Sequence, residues 1–304
     1  MTAVALLLSG IFAIFLAARR EFLPHDVAYL GLSARQLCVL ADCRIVRFMF
    51  HDRVAFGGTL ISVAILYLWL AEFPLRDGDR WAWQAFAVSG FTGFLSFLAY
   101  LSYGYLDTWH GAATLALLPC FLLGLARASR LASRRTEAWL KSQGAAASPA
   151  LVRLGRWCLV ATGAGMILAG ATILILGMTR VFVPQDLAFM GLSRDGLQAI
   201  SPRLIPLIAH DRAGFGGGLV SSGLLVALCA WHTPPSRSFR QAVTLAGAVG
   251  FGCAIGVHFT EGYTNLLHLG PAAAGGLLFT LGTVLEAVGT HQQRAVRNAE
   301  TLKQ

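Results

Sequence analysis

Eight apolar runs dominate the chain, at roughly 2–18, 54–72, 84–103, 110–126, 157–178, 214–231, 241–259 and 269–288. Each is close to the ~20 residues an α-helix needs to cross ~30 Å of hydrocarbon. In lipid the backbone must satisfy its own polar groups, and a single continuous segment can do that only as a helix. Composition agrees: 56% of residues are hydrophobic and 13% charged, against about 25% charged in a soluble domain. Several runs are rich in glycine, which membrane helices use for close backbone approach. The sequence predicts an all-α integral membrane protein with eight transmembrane helices. The first run has no Lys or Arg before Arg19 and has a counterpart at 157–178, so it is expected to stay as a helix rather than be cleaved as a signal peptide.

Orientation follows from basic residues. The link 127–156 holds Arg127, Arg130, Arg134, Arg135, Lys141, Arg153 and Arg156 against Glu137 alone. It is expected in the cytoplasm, with both termini, in the plasma membrane. The loops 19–53 and 179–213 then lie outside. The net charge of +9 reads as topology and contact with anionic lipid, not as nucleic-acid binding.

The chain also resembles itself. REFLPHDVAYLGLS at 20–33 matches RVFVPQDLAFMGLS at 180–193, HDRVAFGG at 51–58 matches HDRAGFGG at 210–217, and GYLDTWH at 104–110 matches GYTNLLH at 262–268. The layout expected is two tandem parallel four-helix repeats. The first covers 1–126, and a separate basic cytoplasmic linker, 127–156, follows it. The second covers 157–304, ending in a short cytoplasmic tail.

Four histidines recur at matched positions: His51 with His210, and His110 with His268. On this topology each stands at the outer end of a span, giving each repeat one pair at one depth. Below them on the same helix faces lie small residues, including Gly58 and Gly217. A slot of that kind suits a flat macrocycle held by two imidazoles. Arg53 and Arg212 are placed to meet haem propionates. Asp52, Asp211, Asp107 and Asn265 are candidates to fix the imidazoles from behind, and Tyr105 and Tyr263 recur beside them. A lone interfacial His beside Asp-Arg is commonly a helix cap or ion pair. The fourfold matching is what favours a bound prosthetic group or metal.

In layout the chain resembles the haem A synthase family, which has eight spans in two four-helix units and a His pair at the outer ends of the second and fourth helix of each. The resemblance implies haem b-type groups on His51, His110, His210 and His268. That family also often carries a cysteine pair in its first outer loop, where this chain has Cys38 and Cys43, for which a disulfide is expected. Two departures stand out. Phe48 occupies the place of the usual catalytic Glu three residues before the first His, and Asp52 separates that His from its Arg. The family's haem-oxidising activity is therefore not carried over.

The halves differ as well. His25 becomes Gln185, while Tyr100 and Tyr103 become His258 and Glu261, a pair open to roles as metal ligand, proton carrier or polar rim. The function expected is bis-histidine haem binding for electron transfer or a haem-linked oxidoreductase at the outer face. The alternative cofactor is an unknown metal, and a quinone or other membrane redox subunits would be partners. The rivals are a metal- or proton-linked transporter and a non-catalytic subunit of a larger membrane complex.

Overall fold

The computed structural model describes residues 1–98, 105, 108–132 and 150–301. Among these, all regular structure is helical. Twelve α-helices run in the order α1 (Thr2–Ala18), α2 (Pro24–Leu30), α3 (Ala34–Leu40), α4 (Arg44–Leu70), α5 (Arg80–Leu98), α6 (Thr108–Ala132), α7 (Ala150–Met178), α8 (Pro184–Met190), α9 (Arg194–Ile200), α10 (Leu204–His232), α11 (Arg237–Glu261) and α12 (Leu266–Thr301). Most of the basic link, residues 133–149, lies outside the described residues.

Six stretches are long and apolar enough to cross a membrane: Arg44–Leu75, Gly111–Arg130, Ala150–Met178, Leu204–His232, Arg237–Glu261 and Leu266–Ala295. The helix α1 is apolar but has 17 residues. Helices α4 and α10 begin well before the apolar runs at 54 and 214. Arg44 and Arg47 depress the local hydropathy, yet Ile45, Val46, Phe48, Met49 and Phe50 between and after them are all buried. His51 and His210 are thus inside their helices, not at the tips.

The expected outer loops are built from short helices. Pro24 and Pro184 open α2 and α8 at a position where a missing N–H costs nothing. Gly31 and Gly191 close them in the left-handed conformation, at φ 72° and 68°. Ser33 then caps α3 by accepting from the Gln36 N–H, and Ser193 caps α9 by accepting from Gly196. Cys38 and Cys43 are joined by a disulfide across the α3–α4 turn.

Glycines set the closest helix contacts. A Cβ at Gly10 of α1 would lie 2.6 Å from the Gly57 carbonyl oxygen of α4. The pairs Gly163/Gly223 and Gly170/Gly216 join α7 to α10 in the same way, again at 2.6 Å.

The two halves pack into each other. The central helices α4 and α10 pack on each other, α11 of the second half packs on α4, and α5 of the first half packs on α10. One apolar cluster, containing Phe48, Phe50, Leu197 and Leu207, draws on both halves beside the short helices. A second, containing Leu66, Trp69, Leu225 and Phe239, does so farther along.

Candidate functional site: three imidazoles at the end of a cavity

The recurring His-Asp-Arg is a reciprocal clasp. Arg53 pairs with Asp26 of its own half, Nη2 to Oδ2 2.8 Å, and with Asp211 of the other half, Nε to Oδ2 2.9 Å. Arg212 pairs with Asp186 at 2.8 Å and, across the halves, with Asp52 at 3.3 Å. Tyr105 donates to Asp26 and Tyr263 to Asp186, at 2.8 and 2.7 Å. Arg212 also donates to the carbonyl of Val181, which is fully buried and holds φ at 65°, a costly conformation for a β-branched residue. The expected role of Arg53 and Arg212 as propionate partners is therefore corrected. Both guanidiniums are committed to protein carboxylates, because a buried cation needs its counter-ion close by.

Asp52 Oδ1 is 3.0 Å from His51 Nδ1, and Asp211 Oδ1 is 3.3 Å from His210 Nδ1. An ionised carboxylate on Nδ1 keeps the proton there and leaves Nε2 as the free lone pair.

Among the described residues, the histidines that meet His51 belong to the other half. The His51 Nε2 is 3.2 Å from Nε2 of His258, and the His51 ring centroid is 5.3 Å from that of His268. One ligand atom from each of the three can be chosen so that all lie within 4.8 Å of one another. His258 is oriented like His51, with Nδ1 2.7 Å from the Ala254 carbonyl oxygen, which leaves its Nε2 to face inward. Tyr263 stacks on His268 at 4.4 Å and 24°. Burial and the neighbouring Asp186 carboxylate push the Tyr263 phenol above its ordinary pKa, so it stays a neutral donor.

The expected pairing of His268 with His210 is thus replaced by His268 with His51 and His258, because α11 packs on α4 and α12 packs on α11. His258 had stood out only as a residue without a counterpart. Glu261, its companion in that difference, instead pairs with Arg20 at 2.5 Å. His210 is buried and stands 4.9 Å from the Tyr105 ring, edge-on. The side chain of His110, and Asp107, lie outside the described residues. Asn265 caps α12, accepting from the Leu267 N–H at 3.0 Å, and is not behind an imidazole.

Gly58 and Gly217 do not leave a slot. A Cβ at Gly58 would collide with Cys253 of α11, and one at Gly217 with Ser96 of α5. Beside Gly58 the place is taken by Cys253 of α11.

A cavity does exist. It measures about 710 Å³ and runs from the three histidines between α4, α7, α10, α11 and α12. Along α12 it extends from His268 to Phe279, roughly 16 Å at ~1.5 Å per residue. Its walls are mostly small or apolar, among them Ala55, Gly165, Ala169, Gly250, Ala272 and Gly275. The hydroxyls of Thr59, Ser62 and Thr162 in those walls are turned onto carbonyls of their own helices.

Imidazole nitrogens suit zinc, copper, iron and nickel. Metal–nitrogen bonds of about 2.0 Å at tetrahedral angles put two nitrogens ~3.3 Å apart. The 3.2 Å between His51 and His258 matches such an edge. Two imidazoles facing each other across a macrocycle would instead stand ~4 Å apart, with clear space between the rings.

No protein-family model, curated protein or solved structure matches the chain.

Proposed function

We propose that this protein holds one transition-metal ion on His51, His258 and His268, with a fourth position turned toward the cavity, as a redox or Lewis-acid centre. The carrying observation is the convergence of three imidazoles whose ligand atoms lie within 4.8 Å at one end of a cavity. Three protein ligands and one open position are the pattern of a metal that acts on something; closed structural sites use four. Asp52 behind His51, itself held by Arg212, supplies the backing that fixes a ligating imidazole.

In this reading the chain crosses the plasma membrane eight times, as two four-helix halves with both termini in the cytoplasm. Helices α1 and α5 join the six longer spans. The triad lies at the outer face, where a quinone or another membrane redox subunit would exchange electrons with it. An oxidoreductase fits these features better than a transporter. Buried arginines and carboxylates close on each other at the triad end, whereas a transporter gate needs such groups to part.

A second reading is favoured by the size of the cavity. A volume of about 710 Å³ falls in the ~300–1,000 Å³ range of cofactor pockets. A b-type haem lying within it, with one of the three imidazoles as axial ligand, accounts for the small residues of the walls.

Metal analysis and a visible spectrum of the purified protein test both. The first reading expects one tightly held ion per chain, lost in His51→Ala, His258→Ala and His268→Ala. An intense Soret band shifts the assignment to haem. Wild-type protein with neither metal nor haem, after supplementation with both, overturns both readings.

A further inference from the structure

The cavity opens sideways. Helices α7 and α12 touch where a Cβ at Gly155 would come within 2.6 Å of the Gly282 carbonyl oxygen. On the histidine side of that crossing, Ala161, Gly165 and Thr172 of α7 and Leu267, Pro271 and Ala274 of α12 line the cavity while being exposed. A Cβ at Gly165 would meet no atom within 4 Å. Both helices are long and apolar enough to span a membrane, so an opening between them faces hydrocarbon rather than water.

The interior is graded. Polar side chains gather at one end, in His51, His258, His268 and Gln185, and the wall toward Leu278 and Phe279 is apolar. The hydroxyls of Thr59, Ser62, Thr162 and Ser222 interrupt that wall, and the first three are turned onto carbonyls of their own helices.

We propose that a single-chain amphiphile dissolved in the bilayer enters between α7 and α12. Its tail lies along the ~16 Å slot and its compact, oxygen-bearing head faces the histidines. Lipid supplies such a molecule in the plane of the opening, and its polarity matches the gradient of the walls. A single slot leaves a two-tailed lipid's second chain outside. The chemistry of the head group rests on the metal reading above; occupation of the slot does not.

The probe is stearic acid carrying a nitroxide near its tail, added to the full-length protein in nanodiscs and read by electron paramagnetic resonance. Wild type is expected to hold a saturable, strongly immobilised component that excess unlabelled stearic acid displaces. Gly165→Phe has open space for its ring, so it folds and fills the slot. It is expected to weaken that component roughly tenfold with bound metal unchanged. Gly256→Phe, on α11 where a Cβ also meets nothing within 4 Å and which does not line the cavity, leaves the component as in wild type. A wild type with no saturable component, or one that survives Gly165→Phe undiminished, overturns the proposal. Protein that binds the probe but no metal rejects the metal centre alone.

Discussion

Arg53 of α4 holds Asp211 of α10 at 2.9 Å, and that aspartate in turn holds His210 at 3.3 Å. The mirror arrangement, Arg212 to Asp52 to His51, is built from the same three residue types with the halves exchanged. Each arginine therefore supports an imidazole of the opposite half, and the clasp is at once a weld and a means of aiming.

Removing one partner of a buried pair leaves the other charge without compensation. Arg53→Ala and Arg212→Ala are each expected to cost about 3–5 kcal/mol. Thermal unfolding in detergent checks this. Arg212→Lys should recover only part of the loss, since one ammonium cannot reach Asp52, Asp186 and the Val181 carbonyl together. Arg212→Ala that unfolds like wild type would remove the clasp from the account.

Asp52→Asn keeps the shape behind His51 but loses the charge. Metal affinity is expected to fall about 10–100-fold, the usual effect of losing such a partner. Competition with a chelator measures it. His210→Ala should leave that affinity as in wild type, because His210 is not among the three converging imidazoles. Equal losses from His210→Ala and His51→Ala would point to one site shared by both.

Gly58→Leu and Gly217→Leu press side chains into Cys253 and Ser96. Each is expected to destabilise the fold by about 1–3 kcal/mol or more. The loss should appear in thermal stability, with metal retained by whatever fraction folds. Stable variants lacking metal would instead place these glycines at the site.

A cysteine introduced at Ser142, in the basic link, is expected to react with a membrane-impermeant maleimide only after cells are opened. Labelling of intact cells there reverses the proposed orientation.

Much of this was legible in the sequence, for identifiable reasons. A 3.6-residue helix in lipid writes itself as a long apolar run, so α7, α10, α11 and α12 could be found by eye. Pro24, Gly31 and Ser33 act locally, through φ and a single hydrogen bond, and a local signal is visible in sequence. The Asp52–His51 contact is also local, at one residue's separation. The grouping of the histidines was not legible. His51 meets His258 across 207 positions, because α11 packs on α4. Nothing in either helix's own pattern says which neighbour its small residues will receive. Gly58 read equally well as a slot for a ligand or a seat for Cys253. Arg53 was misread for the same reason: its partners Asp26 and Asp211 lie on other helices, and an arginine at a helix end looks free until they are placed.

The cross-wise pairing of Arg53 with Asp211 and Arg212 with Asp52 has the form of an isologous interface, in which residue i of one subunit meets j of the other and j meets i. Such contacts normally arise between two copies of one gene product. Here a single polypeptide contains both sides, so the two sides can diverge independently. His258 completes a triad with His51, and the position aligned with it in the first half is Tyr100. One chain thus has the economy of a homodimer without its obligation to keep two identical centres. One face can gain a third imidazole while the other keeps only the pairing that joins the halves.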